Sequence, residues 1–267
     1  MNRRESPHAV RVVVGRNPVL EALRAGKGTV RRILIASGIR WKGQEELEAR
    51  AQADGVPIQV VEREVLDRMA GPVPHQGVVA EVIAAPVGSW EELLRQAESL
   101  SFGLIVLLDQ VQDPHNVGAI LRSAEAAGAL AVIAPRHGAP DLTPAVLKAA
   151  AGAAEHLPYL RVPNLARAIE RLQEIGYWVF GAESRTGEHV LPYHRVEYPP
   201  KTALVVGSEG RGLRRLVRER CDQFVHIPLY GTIESLNVSV ATGILLFAVR
   251  RFWEEQGGHG HEVRTSG

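Results

Sequence analysis

Hydrophobic and polar positions follow two different periods along the first eighty residues. Short runs of β-branched and apolar residues predict strands, and runs with an apolar residue every three or four positions among charges predict amphipathic helices. The predicted strands cover residues 10–14, 33–36, 58–61 and 78–83, and the predicted helices cover residues 18–25, 44–53 and 64–69. Together these elements predict a small α/β domain.

The alternation begins again after a segment rich in small residues and proline at 84–88 and a predicted helix at 90–98. From there to about residue 255, apolar strands alternate with helices, which favours a parallel sheet covered on both faces. The predicted strands are 104–108, 131–133, 177–182, 203–206 and 224–227, and the predicted helices are 117–127, 165–175 and 213–220. We therefore expect a first domain over 1–82, a linker over 83–100, a second domain over 101–257 and a disordered tail over 258–267.

The composition narrows the class of protein. A hydrophobic fraction of 45% and a charged fraction of 23% are typical of globular proteins. The sequence has no apolar run long enough for a membrane span and does not begin with a signal-peptide pattern. The single cysteine, Cys221, excludes an internal disulfide and a thiolate-rich metal site. We expect a cytoplasmic protein that needs neither a membrane nor a metal.

The charge is unevenly distributed. A net charge of +1 argues weakly against a nucleic-acid partner. Residues 1–42, however, contain ten arginines and lysines against only Glu5 and Glu21. This excess predicts a surface that faces phosphate groups, although an arginine-rich solvated surface explains it equally well.

The first segment with candidate chemistry runs from Leu107 to Glu125. A buried strand ends near Asp109, a polar loop follows, and a helix is predicted to begin at about Asn116, with Arg122 further along it. Open α/β sheets place their ligands at the carboxyl ends of strands, so Asn116 and Arg122 are candidate site residues. Asparagine is also a good helix N-cap, and spacing alone favours a simple capped helix as much as a site.

The second segment is the glycine-rich turn that follows a strand, Gly207-Ser-Glu-Gly-Arg-Gly-Leu213. Its glycine order differs from the dinucleotide-binding fingerprint, and it lacks the Gly-Lys-Ser/Thr of a phosphate-binding Walker loop. Glycines here allow a backbone to approach a ligand closely, and Glu209 would suit a cationic ligand such as a sulfonium.

The third segment begins where a strand meets Pro228. A loop follows, and an apolar helix is predicted to start near Leu236 with Ser235 as its N-cap. Asn237, Ser239 and Thr242 place small polar groups on this helix, which suggests the close approach of a ligand or of another chain.

Taken together, the three segments resemble the three motifs of the SpoU branch of the SPOUT methyltransferases, also called the TrmH family. They occur in the order of the family and near its spacing, over residues 103–253. The first domain, from Gly15-Arg-Asn-Pro-Val-Leu to His75-Gln-Gly-Val, resembles the small ribosomal-protein-like substrate-binding domain of some members. This pair of domains is most similar to bacterial enzymes that methylate a guanosine ribose of 23S rRNA.

The resemblance implies an S-adenosylmethionine-dependent RNA methyltransferase that modifies a ribose 2′-hydroxyl. It also implies a parallel-sheet domain with a deep trefoil knot, a homodimer in which one subunit completes the site of the other, and a structured RNA substrate. Methylation of tRNA, or an inactive RNA-binding assembly factor on the same scaffold, are the alternatives. The catalytic candidates that it implies are Arg122, Asn116, Glu209, Ser235 and Asn237, and the cofactor-binding candidates are Gly207, Ile227 and Leu236.

Overall fold

The computed structural model describes residues 10–24, 30–83, 88–184, 187, 189–208 and 210–257. Its first part is a four-stranded sheet with helices on both faces. The strands are β1 (Val10–Val14), β2 (Val30–Ala36), β3 (Ile58–Val61) and β4 (Val78–Ile83), and the helices are α1 (Arg16–Arg24), α2 (Gln44–Ala53) and α3 (Arg63–Ala70). The strand order is β1-β4-β2-β3, with β4 antiparallel to both neighbours and β2 parallel to β3.

The second part is a seven-stranded, all-parallel sheet in the order β7-β6-β5-β10-β8-β11-β9. Its strands are β5 (Gly103–Asp109), β6 (Ala131–Pro135), β7 (Tyr159–Val162), β8 (Trp178–Glu183), β9 (Val190–Pro192), β10 (Lys201–Gly207) and β11 (Gln223–His226). Its helices are α4 (Trp90–Ser99), α5 (Pro114–Ala126), α6 (Pro144–Ala150), α7 (Leu165–Glu174), α8 (Arg215–Arg218) and α9 (Val238–Glu255).

Burial on both faces explains why the central strands consist almost entirely of apolar residues. All seven residues of β5 are buried, and successive side chains point into different layers. Leu104, Val106 and Leu108 pack with α5, α6 and α9 on one face. Ile105 and Leu107 pack with α4, α7 and α8 on the other face. The expected α/β fold with a parallel sheet is confirmed.

Helix α6 contacts both sheets. Val146 and Ala150 pack on the core that α5 covers, whereas Leu147 is buried with Val13 and Val19 of the first part. The Lys148 ammonium also donates to the Pro74 carbonyl oxygen at 2.9 Å. The first part therefore packs directly on the seven-stranded part through this helix.

Three elements were not predicted from the sequence, namely α6, β7 and β9. Helix α6 has only seven residues, in an alanine-rich segment, and β9 has only three residues at the edge of the sheet, so both are too short for a recognisable hydrophobic pattern. The expected linker residues 84–87 and tail residues 258–267 lie outside the described part of the chain.

Candidate active site

A cavity of about 1040 Å³ opens at the carboxyl ends of β8, β10 and β11. Because these strands are parallel neighbours, the loops that follow them converge at one edge of the sheet. Gly207 ends β10, Ile227 follows β11, and Leu236 precedes α9, and all three line the cavity. The structure thus brings together the three residues predicted to bind the cofactor.

The loop after β10 folds back on the strand. Gly212 donates from its amide to the Ser208 carbonyl oxygen at 3.0 Å, and these two residues form an isolated antiparallel bridge. A Cβ atom on Gly207 would lie 2.3 Å from the Gly212 carbonyl carbon, so no other residue fits at 207 without moving the loop. Gly212 itself has a φ of +65°, a conformation that favours glycine. Glu209, a predicted catalytic residue in this loop, lies outside the described residues.

A fully buried carboxylate anchors the end of the same loop. Asp109, the last residue of β5, accepts hydrogen bonds from the Arg214 amide at 2.7 Å and from Arg214 Nε at 2.6 Å. This ion pair joins the first predicted segment to the residue that directly follows the second. Sequence reasoning missed it because the two residues are 105 positions apart.

The loop after β11 forms another side of the cavity and leads into α9. Ser235 lines the cavity, but it is not the N-cap of α9, as the sequence had suggested. The helix begins at Val238, and the N-cap is Asn237, whose Oδ1 accepts from the Ser239 amide at 2.9 Å and from Ser239 Oγ at 2.6 Å. The helix starts later than expected because Asn237 supplies the better-placed acceptor.

Thr242 of α9 has a local partner. Its hydroxyl donates to the Val238 carbonyl oxygen at 2.6 Å within the helix, so it can be fully buried without a ligand. Together with the capping role of Asn237 and Ser239, this accounts for the three small polar residues that seemed out of place in an apolar helix.

Asn116 lies inside α5 and is not its N-cap, which corrects the simple capped-helix interpretation. The cap is Asp113, whose carboxylate accepts from the His115 amide at 2.9 Å, with Pro114 as the first helical residue. The Asn116 side chain is therefore available for another contact, and its Oδ1 accepts from Asn237 Nδ2 at 2.9 Å. This bond links the first and third predicted segments.

Arg122 is exposed on α5 and does not line the cavity of its own chain. Within the described part of the chain, its guanidinium has no hydrogen bond or ion pair. An arginine on this helix can therefore bind an anionic group that comes from outside the chain.

Two polar residues of the cavity were missed by sequence reasoning. Glu183 ends β8 and His226 ends β11, and both residues lie at the edge of the cavity. Neither belongs to a recognisable motif, and the pairing of the two strands is what brings them together. Nearby, burial raises the pKa of the Cys221 thiol to about 12, which makes this cysteine a poor nucleophile at neutral pH.

The described residues contain no group of three or more histidine, cysteine, aspartate or glutamate side chains placed to hold a metal ion. None of the described helices combines the length and apolar character that a membrane span requires.

Comparison with known families identifies the chain. The profile of the SpoU rRNA methylase family matches residues 103–247. This chain belongs to the SpoU rRNA methylase family. A second profile, described as RNA 2′-O ribose methyltransferase substrate binding, matches residues 12–87. The family assignment made from the three motifs is confirmed.

Individual members of the family resemble the chain over nearly its whole length. The 23S rRNA (guanosine-2′-O-)-methyltransferase RlmB of Xanthomonas campestris is 43% identical over 90% of this chain and 96% of its own. YacO of Bacillus subtilis, named for the TrmH family of tRNA/rRNA methyltransferases, is 38% identical over 90% of this chain and 94% of its own.

A solved structure extends the comparison to the cofactor. The SpoU methyltransferase AviRb of Streptomyces viridochromogenes, crystallised with the cofactor AdoMet (S-adenosylmethionine), aligns with a TM-score of 0.72. The two chains are 26% identical, and the alignment covers 94% of each.

The cavity suits a ligand of that size and chemistry. Its volume of about 1040 Å³ is at the upper end of the usual range for small-molecule sites. Glycine backbone at 207, 210, 212 and 231 forms much of the wall, while Ile227, Leu236 and Leu245 supply apolar surface. Exposed main-chain groups and apolar side chains together are appropriate for an adenine ring.

Proposed function

We propose that this protein transfers a methyl group from S-adenosylmethionine to the ribose 2′-hydroxyl of a guanosine in 23S rRNA. The observation that carries the proposal is the cavity at the ends of β10 and β11, which Gly207, Ile227 and Leu236 line together. The similarity to RlmB over 90% of the chain supports guanosine and 23S rRNA as the substrate. Such a reaction takes place on ribosomal RNA in the cytoplasm.

The backbone at Gly207, Ile227 and Leu236 holds the cofactor in this proposal. When bound, the cofactor supplies a methyl group that is activated by its attachment to a sulfonium. The protein excludes water from the methyl group and aligns it with the ribose oxygen, an effect that contributes about 7–11 kcal/mol in favourable cases. The loop ending at Asn237 shapes one side of the cavity, because Gly231, Ser235 and Leu236 of this loop line it.

Arg122 is the proposed catalytic residue. A ribose hydroxyl becomes a good nucleophile only as it loses its proton. A guanidinium stays protonated in proteins, so Arg122 stabilises the developing alkoxide and the adjacent phosphate and does not act as the base. The proton passes to a phosphate oxygen or to water.

Four further residues position the reacting groups. The hydrogen bond between Asn116 and Asn237 fixes α5, which carries Arg122, relative to the loop that lines the cavity. Ser235 lies in that loop and lines the cavity beside Leu236. We assign Glu209 of the glycine-rich turn to the same positioning role on the basis of the family motif alone.

We propose a homodimer with a knotted methyltransferase domain, as in the family. Arg122 does not line the cavity of its own chain, so a second copy is needed to bring an Arg122 to each cavity. Val240 and Phe247 of α9 are 51% and 52% exposed and lie two turns apart, which gives the second copy an apolar surface to cover. Light scattering at micromolar concentration should report a dimer, and Phe247→Glu should shift it toward a monomer.

The first part of the chain binds the RNA in this proposal. Arg31, Arg40 and Lys42 are exposed on it, and the substrate-binding profile covers all three. Residues 1–82 form the RNA-binding domain, and residues 101–257 the methyltransferase domain, with 83–100 between them.

A transfer assay with mapping tests the function. Purified protein, tritiated S-adenosylmethionine and either 23S rRNA or total tRNA are incubated, and the modified nucleotide is located by mass spectrometry. We expect one 2′-O-methylguanosine in 23S rRNA. Methylation of tRNA alone would show that the substrate is tRNA, one of the two RNA classes in the name of YacO. RNA binding without transfer to either RNA would identify an inactive assembly factor and overturn the proposal.

A further inference from the structure

The loop that follows β11 projects from the edge of the sheet. Residues 230–235 are all exposed, and none of them belongs to a helix or a strand. Leu229 and Gly231 nonetheless line the cavity. One side of the loop therefore forms a wall of the cavity, while its other side faces solvent. The mechanism above gives residues 229–234 no role.

Tyr230 stands at the rim of the cavity. Its neighbours on both sides along the chain line the cavity, whereas Tyr230 itself does not. It is 96% exposed, more than any other large hydrophobic residue that the structure describes. Its ring makes no aromatic or cation–π contact within the described residues. A rigid, flat ring in this position is suited to stack on a planar ligand that enters the cavity.

Glu234 brings a carboxylate to the same loop. It is exposed and lines the cavity, and the described part of the chain offers its carboxylate no hydrogen bond or ion pair. Glu183, at the edge of the same cavity, is already bound to Arg218 Nε at 2.9 Å. An ionised carboxylate only accepts, and its two oxygens can accept from two neighbouring donors at once. Glu234 therefore suits a ligand that presents a pair of adjacent N–H groups.

The base of the target nucleotide must lie beside this loop if the proposed reaction takes place. The 2′-hydroxyl meets the methyl group in the cavity, and the base is attached to the neighbouring carbon of the same ribose. A nucleotide that enters a cavity leaves its stack in the RNA, and enzymes commonly replace the lost stacking with an aromatic side chain. The base then remains at the mouth of the cavity, where the loop supplies Tyr230 and Glu234.

We infer that Tyr230 stacks on the target base and that the Glu234 carboxylate accepts hydrogen bonds from N1 and N2 of guanine. This inference rests on the proposed function and explains how the site selects guanosine. Guanine alone carries two adjacent N–H donors on its Watson–Crick edge. Adenine and cytosine place an acceptor nitrogen beside their amino group, and uracil places a carbonyl oxygen on each side of its single donor. Each of these acceptors would be repelled by the carboxylate.

Substitution of one atom group in the RNA tests the role of Glu234. Inosine lacks the N2 amino group of guanosine but keeps N1–H and the ring. The substrate is 23S rRNA assembled by ligation, with guanosine or inosine at the nucleotide that the mapping identifies. The wild-type kcat/KM should be about tenfold lower for inosine, the effect of one lost hydrogen bond to a charged group.

Glu234→Ala should remove this discrimination. The variant should methylate the guanosine RNA about tenfold more slowly than the wild type, with the same kcat/KM for both RNAs, because no carboxylate remains to bind N2. A purely structural role of Glu234 would lower both rates and leave their ratio unchanged. Glu98→Ala, which removes an exposed carboxylate of α4, is the matched control and should keep the wild-type ratio.

Tyr230→Ala tests the stacking. Stacking on an aromatic side chain contributes about 1–3 kcal/mol per base, so kcat/KM should fall by about tenfold or more for both RNAs. Tyr230→Phe keeps the ring and should recover most of this loss. Trp178→Ala is the control, because Trp178 is a 45% exposed aromatic residue at the opposite end of β8 from the cavity. It should leave the rate unchanged.

Binding measurements distinguish the base from the other possible partners of this loop. Calorimetry should show wild-type affinity for S-adenosylhomocysteine in Glu234→Ala and Tyr230→Ala. If Glu234→Ala weakened S-adenosylhomocysteine but not 5′-methylthioadenosine, which lacks the amino acid, the carboxylate would bind the ammonium of the cofactor. If Tyr230→Ala dissociated the dimer in light scattering, the ring would pack on a second copy of the chain. Either result would overturn the inference.

The remaining outcomes separate this inference from the proposed function. A wild-type preference for guanosine that persists in Glu234→Ala would overturn the inference alone, because the enzyme would still methylate guanosine. Normal transfer by Tyr230→Ala would exclude the stacking role. Failure of the wild-type protein to methylate any guanosine would overturn the proposed function itself.

Discussion

At the scale of single residues, the site depends on side chains that end or cap one element and also bind a second segment of the site. Asn237 caps α9 with its oxygen and donates to Asn116 with its nitrogen. Asp109 ends the central strand and fixes the glycine-rich loop through Arg214. Because each such residue joins a helix or strand end to the cavity, substitutions here should change binding or catalysis with limited effect on the fold.

Arg122→Ala should lower the rate of methyl transfer by about hundredfold or more, the usual cost of removing a group that stabilises a developing oxyanion. Because Arg122 does not line the cavity, the affinity for S-adenosylhomocysteine should not change. The measurement is single-turnover tritium transfer beside calorimetry. Arg167→Ala, an exposed arginine on α7, is the matched control. Near-normal transfer by the Arg122 variant would show that the catalytic centre is elsewhere.

Asp109→Asn should weaken cofactor binding and reduce the free energy of unfolding by about 1–3 kcal/mol. The amide presents one acceptor where the carboxylate presents two, so either the Arg214 amide or its guanidinium loses its partner. Urea denaturation and calorimetry with S-adenosylhomocysteine measure the two effects. Asp141→Asn neutralises an 85% exposed partner of Arg161. This variant should change neither the free energy of unfolding nor the affinity for S-adenosylhomocysteine appreciably. Equal behaviour of the two variants would contradict the anchoring role of Asp109.

At the scale of elements, α5 is held at both ends by side chains. Asp113 caps its start, and Arg250 of α9 donates to the carbonyl oxygens of Ala127 and Gly128, the latter at 2.7 Å. Burial lowers the pKa of the Arg250 guanidinium, which reflects the desolvation of its charge between the two helices. A cation at a helix C-terminus also interacts favourably with the helix dipole. The helix that carries Arg122 is therefore tied to the helix that closes the cavity.

Arg250→Ala should reduce the free energy of unfolding by about 1–2 kcal/mol, because at least two carbonyl groups lose a charged donor. Chemical denaturation measures the change. Arg251→Ala is the control on the same helix, since Arg251 is 60% exposed and pairs only at 3.4 Å with Glu255. If both variants lost the same stability, the loss would reflect helix propensity and not the cap.

At the scale of the whole molecule, the first part, which carries the exposed basic residues Arg31, Arg40 and Lys42, packs directly on the part that contains the cavity. Helix α6 joins the two sheets through Leu147 and Lys148. RNA captured by the first part would therefore be presented to the second in a defined orientation. The affinity for RNA and the affinity for the cofactor should accordingly be separable by substitution.

Replacing Arg31, Arg40 and Lys42 together by alanine should weaken rRNA binding and leave S-adenosylhomocysteine binding unchanged. Each phosphate contact contributes roughly 0.7–0.9 to the magnitude of the slope of log affinity against log salt, so three lost contacts should reduce that magnitude by about 2–3. Filter binding at several salt concentrations measures it. The triple variant Arg95→Ala, Arg167→Ala and Arg171→Ala, all exposed on α4 and α7, is the charge-matched control. An unchanged slope in the first variant would exclude this surface from RNA binding.

Much of the fold was determined by local sequence. The buried strands are short apolar runs, and the predictions for 10–14, 44–53, 58–61 and 78–83 match the observed bounds of β1, α2, β3 and β4. Helix starts were less predictable. Asn116 and Ser235 are both good N-caps in isolation, but Asp113 and Asn237 occupy the positions whose side chains reach the free amides. Several neighbouring residues have side chains that can cap a helix, and the backbone geometry at the turn decides which of them reaches the free amides.

The sequence by itself also identified Gly207, Ile227 and Leu236, which line the cavity, through the resemblance of their segments to the family motifs. A parallel sheet necessarily brings strand ends together. Only the tertiary structure decided the partners of the polar side chains. Asp109 and Arg214 are 105 positions apart, Asn116 and Asn237 are 121 apart, and His226 meets Glu183 through strand register. These pairings depend on which strands become neighbours, and that order results from packing the whole sheet rather than from any local pattern.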